Sequence, residues 1–295
     1  MTAHDILTSS LEPELQDPDE ETFLLYSQAM PSQNLGFVDP SAASVDVAVA
    51  QRDYTIHQSP AVLSSNRAGG TTGAVLWKVT PLFAEWLASP SNVLFTSSAL
   101  SSASAVIELG CGISPLNALA LSPRVKSCVL TDQPYVGKLI QQNIQENSHM
   151  PSSSTAPSRR GKKKQSPSPS NITFETLDWE TDQITPSSRF AVDNGSFDAV
   201  IACDCVFNYA LVEPFVQTCA DVCRLRTVDG GDGGEKKLPC LCIVAQQLRN
   251  DEVFLSFLET FMRFFHVWRV PDRMLPEQLT STQGFVVHIG ILREL

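Results

Sequence analysis

The stretch VIELGCGISPLNAL at 106–119 constrains the fold more than any other part of the chain. A short apolar run ends in two glycines one residue apart, and a run with helical spacing follows. Strand, glycine turn and helix in that order place a ligand turn at the carboxyl end of a buried first strand. The pattern then repeats. VKSCVLTD (125–132), NITFETLDW (171–179), FDAVIACDC (197–205) and LPCLCIVAQQ (238–247) read as strands. PYVGKLIQQNIQENS (134–148), LVEPFVQTCADVCRLR (211–226) and DEVFLSFLETFMRFF (251–265) read as helices between them. Such alternation predicts an α/β fold, a mostly parallel sheet with helices on both faces. HVWRV and GFVVHIGILRE have no helix between them and should add an antiparallel edge. Upstream, DVAVAQRDYTIHQS reads as a β segment and AVLWKVTPLFAEWLA as a helix leading into the sheet.

Hydrophobic residues make up 43% of the 295 residues, enough for a core, so a chain disordered or fibrous throughout is excluded. No apolar run is long enough to span a membrane, and the beginning of the sequence has neither a basic nor an apolar targeting region. Cytosol or nucleus is the expected compartment, and a monomer the expected state. Residues 1–33, acidic and interrupted by Pro13, Pro18 and Pro31, read as a mostly disordered tail with one short amphipathic segment at FLLYSQAM. The rest, 34–295, reads as one domain with disordered insertions at about 148–170, rich in Ser, Pro and Lys/Arg, and at 228–237, rich in Gly. The tract Arg159 to Lys164 is either a solvated charged loop or an import or RNA-binding element. The eight cysteines lie mostly in apolar runs, and the pairs Cys203/Cys205 and Cys240/Cys242 are C-x-C with no His nearby. They read as reduced core residues, and no metal is expected.

The net charge is −11, with 32 acids against 21 basic residues. An acidic body is a poor general nucleic-acid binder and a better match to a basic protein partner.

Two cofactor classes use a glycine turn of this kind. The dinucleotide fingerprint requires a third glycine for helix–strand packing behind a pyrophosphate. Pro115 stands there, so that fingerprint fails. S-adenosylmethionine needs glycines (Gly110, Gly112) for close backbone approach and an acid near the turn, which Glu108 supplies. Asp132, at the tip of the second strand, fits the acid that bonds ribose hydroxyls. A strand–turn–helix with no ligand is the remaining alternative. Asp178 and Trp179 end the third strand and fit an acceptor and a cover for adenine, or a plain strand end with a core Trp. Asp204 ends the fourth strand, beside the first at the point where strand order reverses; with Phe207 and Tyr209 it can align an amine and exclude water, or it caps a helix. Trp86, Phe83 and Leu87 share a helix face and read as core, whereas Trp77, at another phase, reads equally as cofactor wall or core.

Taken together, G-x-x-L-W (Gly73 to Trp77), VIELGCGISPL, LTD, the N-x3-N of Asn143 and Asn147, LDW, and D-C-V-F-N followed by E-P-F resemble the family 16 class I (seven-β-strand) protein lysine methyltransferases. Phe207 stands where relatives more often have Tyr. The resemblance implies a Rossmann-like sheet of order 3-2-1-4-5-7-6, S-adenosylmethionine as cofactor, and methylation of lysine on a ribosomal, other translation-related or chaperone protein. It maps Glu108, Gly110, Gly112, Asp132, Asp178 and Trp179 to the cofactor and Asp204 and Phe207 to catalysis; Trp77 and Cys203 are expected at the cofactor with them. Asp204 is expected to orient the incoming ammonium. A methyltransferase of nucleic acids or small molecules and a non-catalytic binding module of the same fold are the alternatives.

Overall fold

The computed structural model describes residues 2–32, 34–67, 70–148, 171–226 and 238–293. Apart from Ser148, the insertion expected at 148–170 lies outside the described residues, as does the one at 228–237. The strands are β1 (Ser44–Val49), β2 (Arg52–His57), β3 (Ala105–Leu109), β4 (Ser127–Asp132), β5 (Ile172–Thr176), β6 (Ala199–Cys203), β7 (Leu241–Gln247), β8 (Phe265–Arg269) and β9 (Phe285–Leu292). The α-helices are α1 (Ala3–Ser10), α2 (Pro18–Tyr26), α3 (Pro60–Leu63), α4 (Val79–Ala88), α5 (Val93–Thr96), α6 (Leu116–Leu121), α7 (Gly137–Asn147), α8 (Arg189–Asn194), α9 (Tyr209–Arg224) and α10 (Asp251–Phe264).

β3 to β9 form one sheet in the order β5-β4-β3-β6-β7-β9-β8, which is the expected 3-2-1-4-5-7-6 counted from β3. β5 through β7 are parallel, and β9 pairs antiparallel with both β7 and β8. The alternation of side chains along each strand sorts the core into two layers. Val106, Leu130, Ile201 and Ile243 face the cluster that contains α4, α6 and α7 residues. Ile107, Val129, Val200 and Val244 face the one built with α9 and α10. All five residues of β3 and of β6 are buried, as strands covered on both faces must be.

β1 and β2 form a separate hairpin. Its outer edge is held by two side chains of α7. Asn143 accepts from the His57 N–H and donates to the His57 carbonyl, both at 2.9 Å. One turn on, Asn147 does the same to Thr55, at 3.0 and 2.9 Å. Each amide thus stands in for a neighbouring strand, and the i, i+4 spacing on the helix matches alternate residues of β2.

Residues 2–32 correct the expectation of a disordered tail over 1–33. Thr2 and Asp5 make a capping box on α1, and Asp17 caps α2 with Pro18 in its first turn. Leu7 and Leu25 are fully buried. The acids find partners on the last two strands and the loop between them: Glu14 with His266 at 2.6 Å, Glu12 with Arg273 at 3.4 Å, and the buried Glu21 with His288 at 3.0 Å. Burial alone would raise the Glu21 carboxyl, but the His288 bond, its charge and that of Arg269 hold it below its usual range. Between the helices, the Leu15 N–H donates to the Val267 carbonyl and the Glu12 N–H to that of Arg269, laying the segment along β8.

Candidate active site

Strand order reverses between β3 and β6, and the loops leaving their carboxyl ends part to form a cavity of about 330 Å³. The ten residues expected at the cofactor or in catalysis line it: Trp77, Glu108, Gly110, Gly112, Asp132, Asp178, Trp179, Cys203, Asp204 and Phe207. Tyr209, expected beside Phe207 as a wall, is not among the lining residues; its hydroxyl donates to Glu252 at 3.2 Å.

The glycine turn forms the floor. Gly110 and Gly112 have φ of +70° and +57°, a region that L side chains rarely adopt. A Cβ on Gly110 would lie 2.8 Å from Cys205 Sγ and 3.0 Å from the Trp179 ring; one on Gly112 would lie 3.0 Å from the Gly73 carbonyl oxygen. Asp132 braces the turn: its carboxylate accepts from the Gly112 N–H at 2.8 Å and from the Gln133 N–H at 2.7 Å. Burial pushes its pKa up to about 6, against the pull of those two donors. Glu108 is 3% exposed, and burial, with Asp132 nearby, pushes its carboxyl up to about 8 although Asn117 donates to it at 2.7 Å. Among the described residues, Glu108 Oε2 has no hydrogen-bond partner, and neither has Trp179 Nε1.

Two walls rise from other elements. Residues 36–38 pair with 76–78, the Phe37 and Trp77 rings lie 4.4 Å apart, and Trp77 Nε1 donates to the Thr72 carbonyl at 2.9 Å. Trp77 is therefore a wall fixed by its surroundings, while Trp86, Phe83 and Leu87 are core as expected. Opposite, Trp179 packs on Phe215 of α9 at 5.1 Å. Asp178 accepts from the Glu180 N–H at 3.0 Å and closes the turn after β5. Cys203 lies against the Thr80 hydroxyl at 3.8 Å, and burial raises its thiol well above the usual value. All eight cysteines are buried and unpaired.

Asp204, expected either to orient the incoming ammonium or to cap a helix, is already engaged by a cation. Its side chain is 2% exposed, and Arg249 donates to both oxygens, at 2.6 and 2.5 Å. The fork of a guanidinium fits a carboxylate in this way, so Asp204 enters the cavity wall already paired. Sequence reasoning missed Arg249. Its signal was positional: it follows the carboxyl end of β7, the parallel neighbour of β6. It also missed Tyr135, whose hydroxyl accepts from the Gly73 N–H at 3.0 Å and whose ring lies 4.4 Å under Arg67.

A glycine floor that a side chain would fill, an unpartnered acceptor and an unpartnered donor in the walls, and aromatic faces on two sides fit S-adenosylmethionine. The profile of the lysine methyltransferase family matches residues 57–261. Ribosomal lysine N-methyltransferase 5 of Zygosaccharomyces rouxii is 32% identical over 238 residues, 70% of each chain. That of Kluyveromyces lactis is 24% identical over 88% of this chain and 91% of its own. A Schizosaccharomyces pombe protein named diaminohydroxyphosphoribosylamino-pyrimidine deaminase is 26% identical over 90% of this chain, which spans only 55% of that protein. Among solved structures, a methyltransferase complexed with SAH aligns with a TM-score of 0.43 at 11% identity, over 85% of this chain and 57% of its own. With the match extending from the end of β2 to α10, and so across the whole cavity, this chain belongs to the lysine methyltransferase family and takes its methyl group from S-adenosylmethionine.

Proposed function

We propose that this enzyme methylates a lysine side chain on a ribosomal or other translation-related protein in the cytoplasm. The observation that carries the reading is the placement of Asp204 and the half-exposed Phe207 on the same cavity as the glycine turn, at the point where strand order reverses. Relatives named ribosomal lysine N-methyltransferase 5 supply the substrate class, and a net charge of −11 favours a basic protein over a nucleic acid. Among the described residues no helix is long and apolar enough to cross a membrane. The deaminase name of the fission-yeast relative does not carry over, because base deaminases use a P-C-x-x-C zinc motif that this sequence lacks.

In this reading Gly110, Gly112, Asp132, Glu108, Cys203, Trp77, Asp178 and Trp179 hold the cofactor, which supplies a methyl group on a positively charged sulfur. The chain's own contribution is proximity and dryness. Phe207 walls the opening, and Asp204 accepts an N–H of the amine and so orients its nitrogen. No general base is required, since desolvation and the nearby cationic sulfur both favour the neutral amine. The test is incubation of the protein with labelled S-adenosylmethionine and proteins stripped from ribosomes by salt, then with a fractionated whole lysate and with deproteinised RNA. Label on a lysine of a ribosomal protein is expected. Label on RNA, or none on any protein, overturns the reading.

A further inference from the structure

Asp204 is the residue of the cavity on which most constraints converge. Its backbone sits at φ +61°, unusual for a non-glycine residue, and its N–H donates to the Ala245 carbonyl at 2.8 Å. Arg249 takes both carboxylate oxygens, and the Gln247 N–H reaches Oδ1 as well, at 3.3 Å. Arg249 is held on its other sides: Nε donates to the Leu35 carbonyl at 3.3 Å, Nη2 to Gln247 Oε1 at 3.0 Å, and the guanidinium carbon lies 5.1 Å from the Trp77 ring centre. The segment preceding β1, the Trp77 wall and the end of β7 thus all bear on one ion pair.

We infer that Arg249 is a positioning residue for methyl transfer: it fixes Asp204 and cancels its charge, so that the cavity receives the target lysine as the neutral amine. The inference rests on the lysine-methyltransferase reading of the cavity. An ionised carboxylate has about four acceptor sites; Arg249 and Gln247 occupy three, leaving one on Oδ2. That one can accept an N–H and set the direction of the nitrogen. A lone buried carboxylate would instead bind the ammonium form and stabilise its third proton. The nitrogen would then lack the lone pair that forms the N–C bond while the C–S pair stays with sulfur. Pairing Asp204 with Arg249 keeps the acceptor and removes the charge that would hold that proton. The proton leaves to water as the lysine enters, and the methylated product loses its own in the same way.

The experiment compares wild type with Arg249→Gln, Arg249→Lys and the double variant Asp204→Asn/Arg249→Gln. Methyl transfer from labelled S-adenosylmethionine to salt-stripped ribosomal proteins is followed against pH. Arg249→Gln is expected to move the rising limb of the kcat profile up by about one pH unit or more, with KM for the protein substrate no higher than in wild type. Arg249→Lys keeps the charge and loses the fork, so its limb stays in place while kcat falls. The double variant returns the limb to its wild-type position. An unmoved limb in Arg249→Gln, an equal shift in Arg249→Lys, or a shift that persists in the double variant overturns the inference. Where Arg249→Gln is too unstable to assay, thermal unfolding decides the charge claim. The single variant must lose more stability at alkaline than at acid pH, and the double variant must not; equal losses overturn it. Failure of the wild type to label ribosomal proteins bears on the substrate reading alone, and the pH comparison is then run on the protein that the lysate fractionation identifies.

Discussion

Glu108 and Asp132 share a cavity with no cation bonded to either among the described residues, and their carboxyls are raised by burial to about 8 and about 6. In an unfolded chain Glu ionises near 4.3 and Asp near 3.9. Below those values each carboxyl is protonated in both the folded and the unfolded state, so folding carries no penalty from them. As pH rises to the folded values, the unfolded chain ionises first, and stability falls. The ligand-free protein should therefore lose stability between about pH 4 and pH 8. Glu108→Gln should flatten the upper part of that decline in thermal unfolding run across pH; an unchanged slope would acquit Glu108. Gly110→Arg addresses the floor of the same cavity. With the Trp179 ring 3.0 Å from the site of a Cβ, calorimetry should find no S-adenosylmethionine binding to a variant whose circular dichroism is still that of a folded chain. These residues were legible because each stands at a strand end marked in the local sequence. Arg249 was not, because nothing beside it in the sequence announces a carboxylate partner 45 positions away.

At the scale of elements, α7 and the β1–β2 hairpin are joined by four amide hydrogen bonds from two side chains. Asn143 also donates to the Ile113 carbonyl at 2.7 Å, one residue beyond Gly112, so the docking of the hairpin and the shape of the glycine turn share a residue. Asn143→Ala leaves the N–H and the carbonyl of His57 without that partner and should cost about 1–3 kcal/mol in urea unfolding. Hydrogen exchange at His57 should accelerate more than exchange in β3; uniform acceleration would mean that the side chain stabilises the whole domain and not the docking. The N-x3-N spacing was visible in the sequence, yet its meaning was not, since an exposed helix face and a strand-mimicking one look alike until the hairpin is placed against it.

The whole molecule combines an acidic body with a mostly parallel sheet whose last strands are covered by its earliest acidic residues. If charge steers a basic substrate to the cavity, initial rates of methyl transfer should fall as salt rises, because screening acts over about 8 Å at physiological ionic strength. Rates for a short lysine peptide of zero net charge should stay nearly level, and parallel behaviour of the two substrates would remove steering from the account. The strands, their mostly parallel run and the antiparallel edge were legible from the alternation of elements, whereas their order came from the family resemblance. The fold of residues 2–32 was not legible: composition counted their acids as solvated, whereas Glu14 and Glu21 meet histidines more than 250 positions away. That arrangement also settles how the sheet ends. An outermost strand exposes unpaired N–H and carbonyl groups that another molecule can adopt, and on β8 the N–H groups of Glu12 and Leu15 take the Arg269 and Val267 carbonyls instead. During synthesis this segment emerges long before β8 exists, so it must wait, unpaired, until the strands that it seals have left the ribosome. A chain cut after residue 16 would have no such seal, and its β8 edge would turn to a second copy, visible as association that grows with concentration.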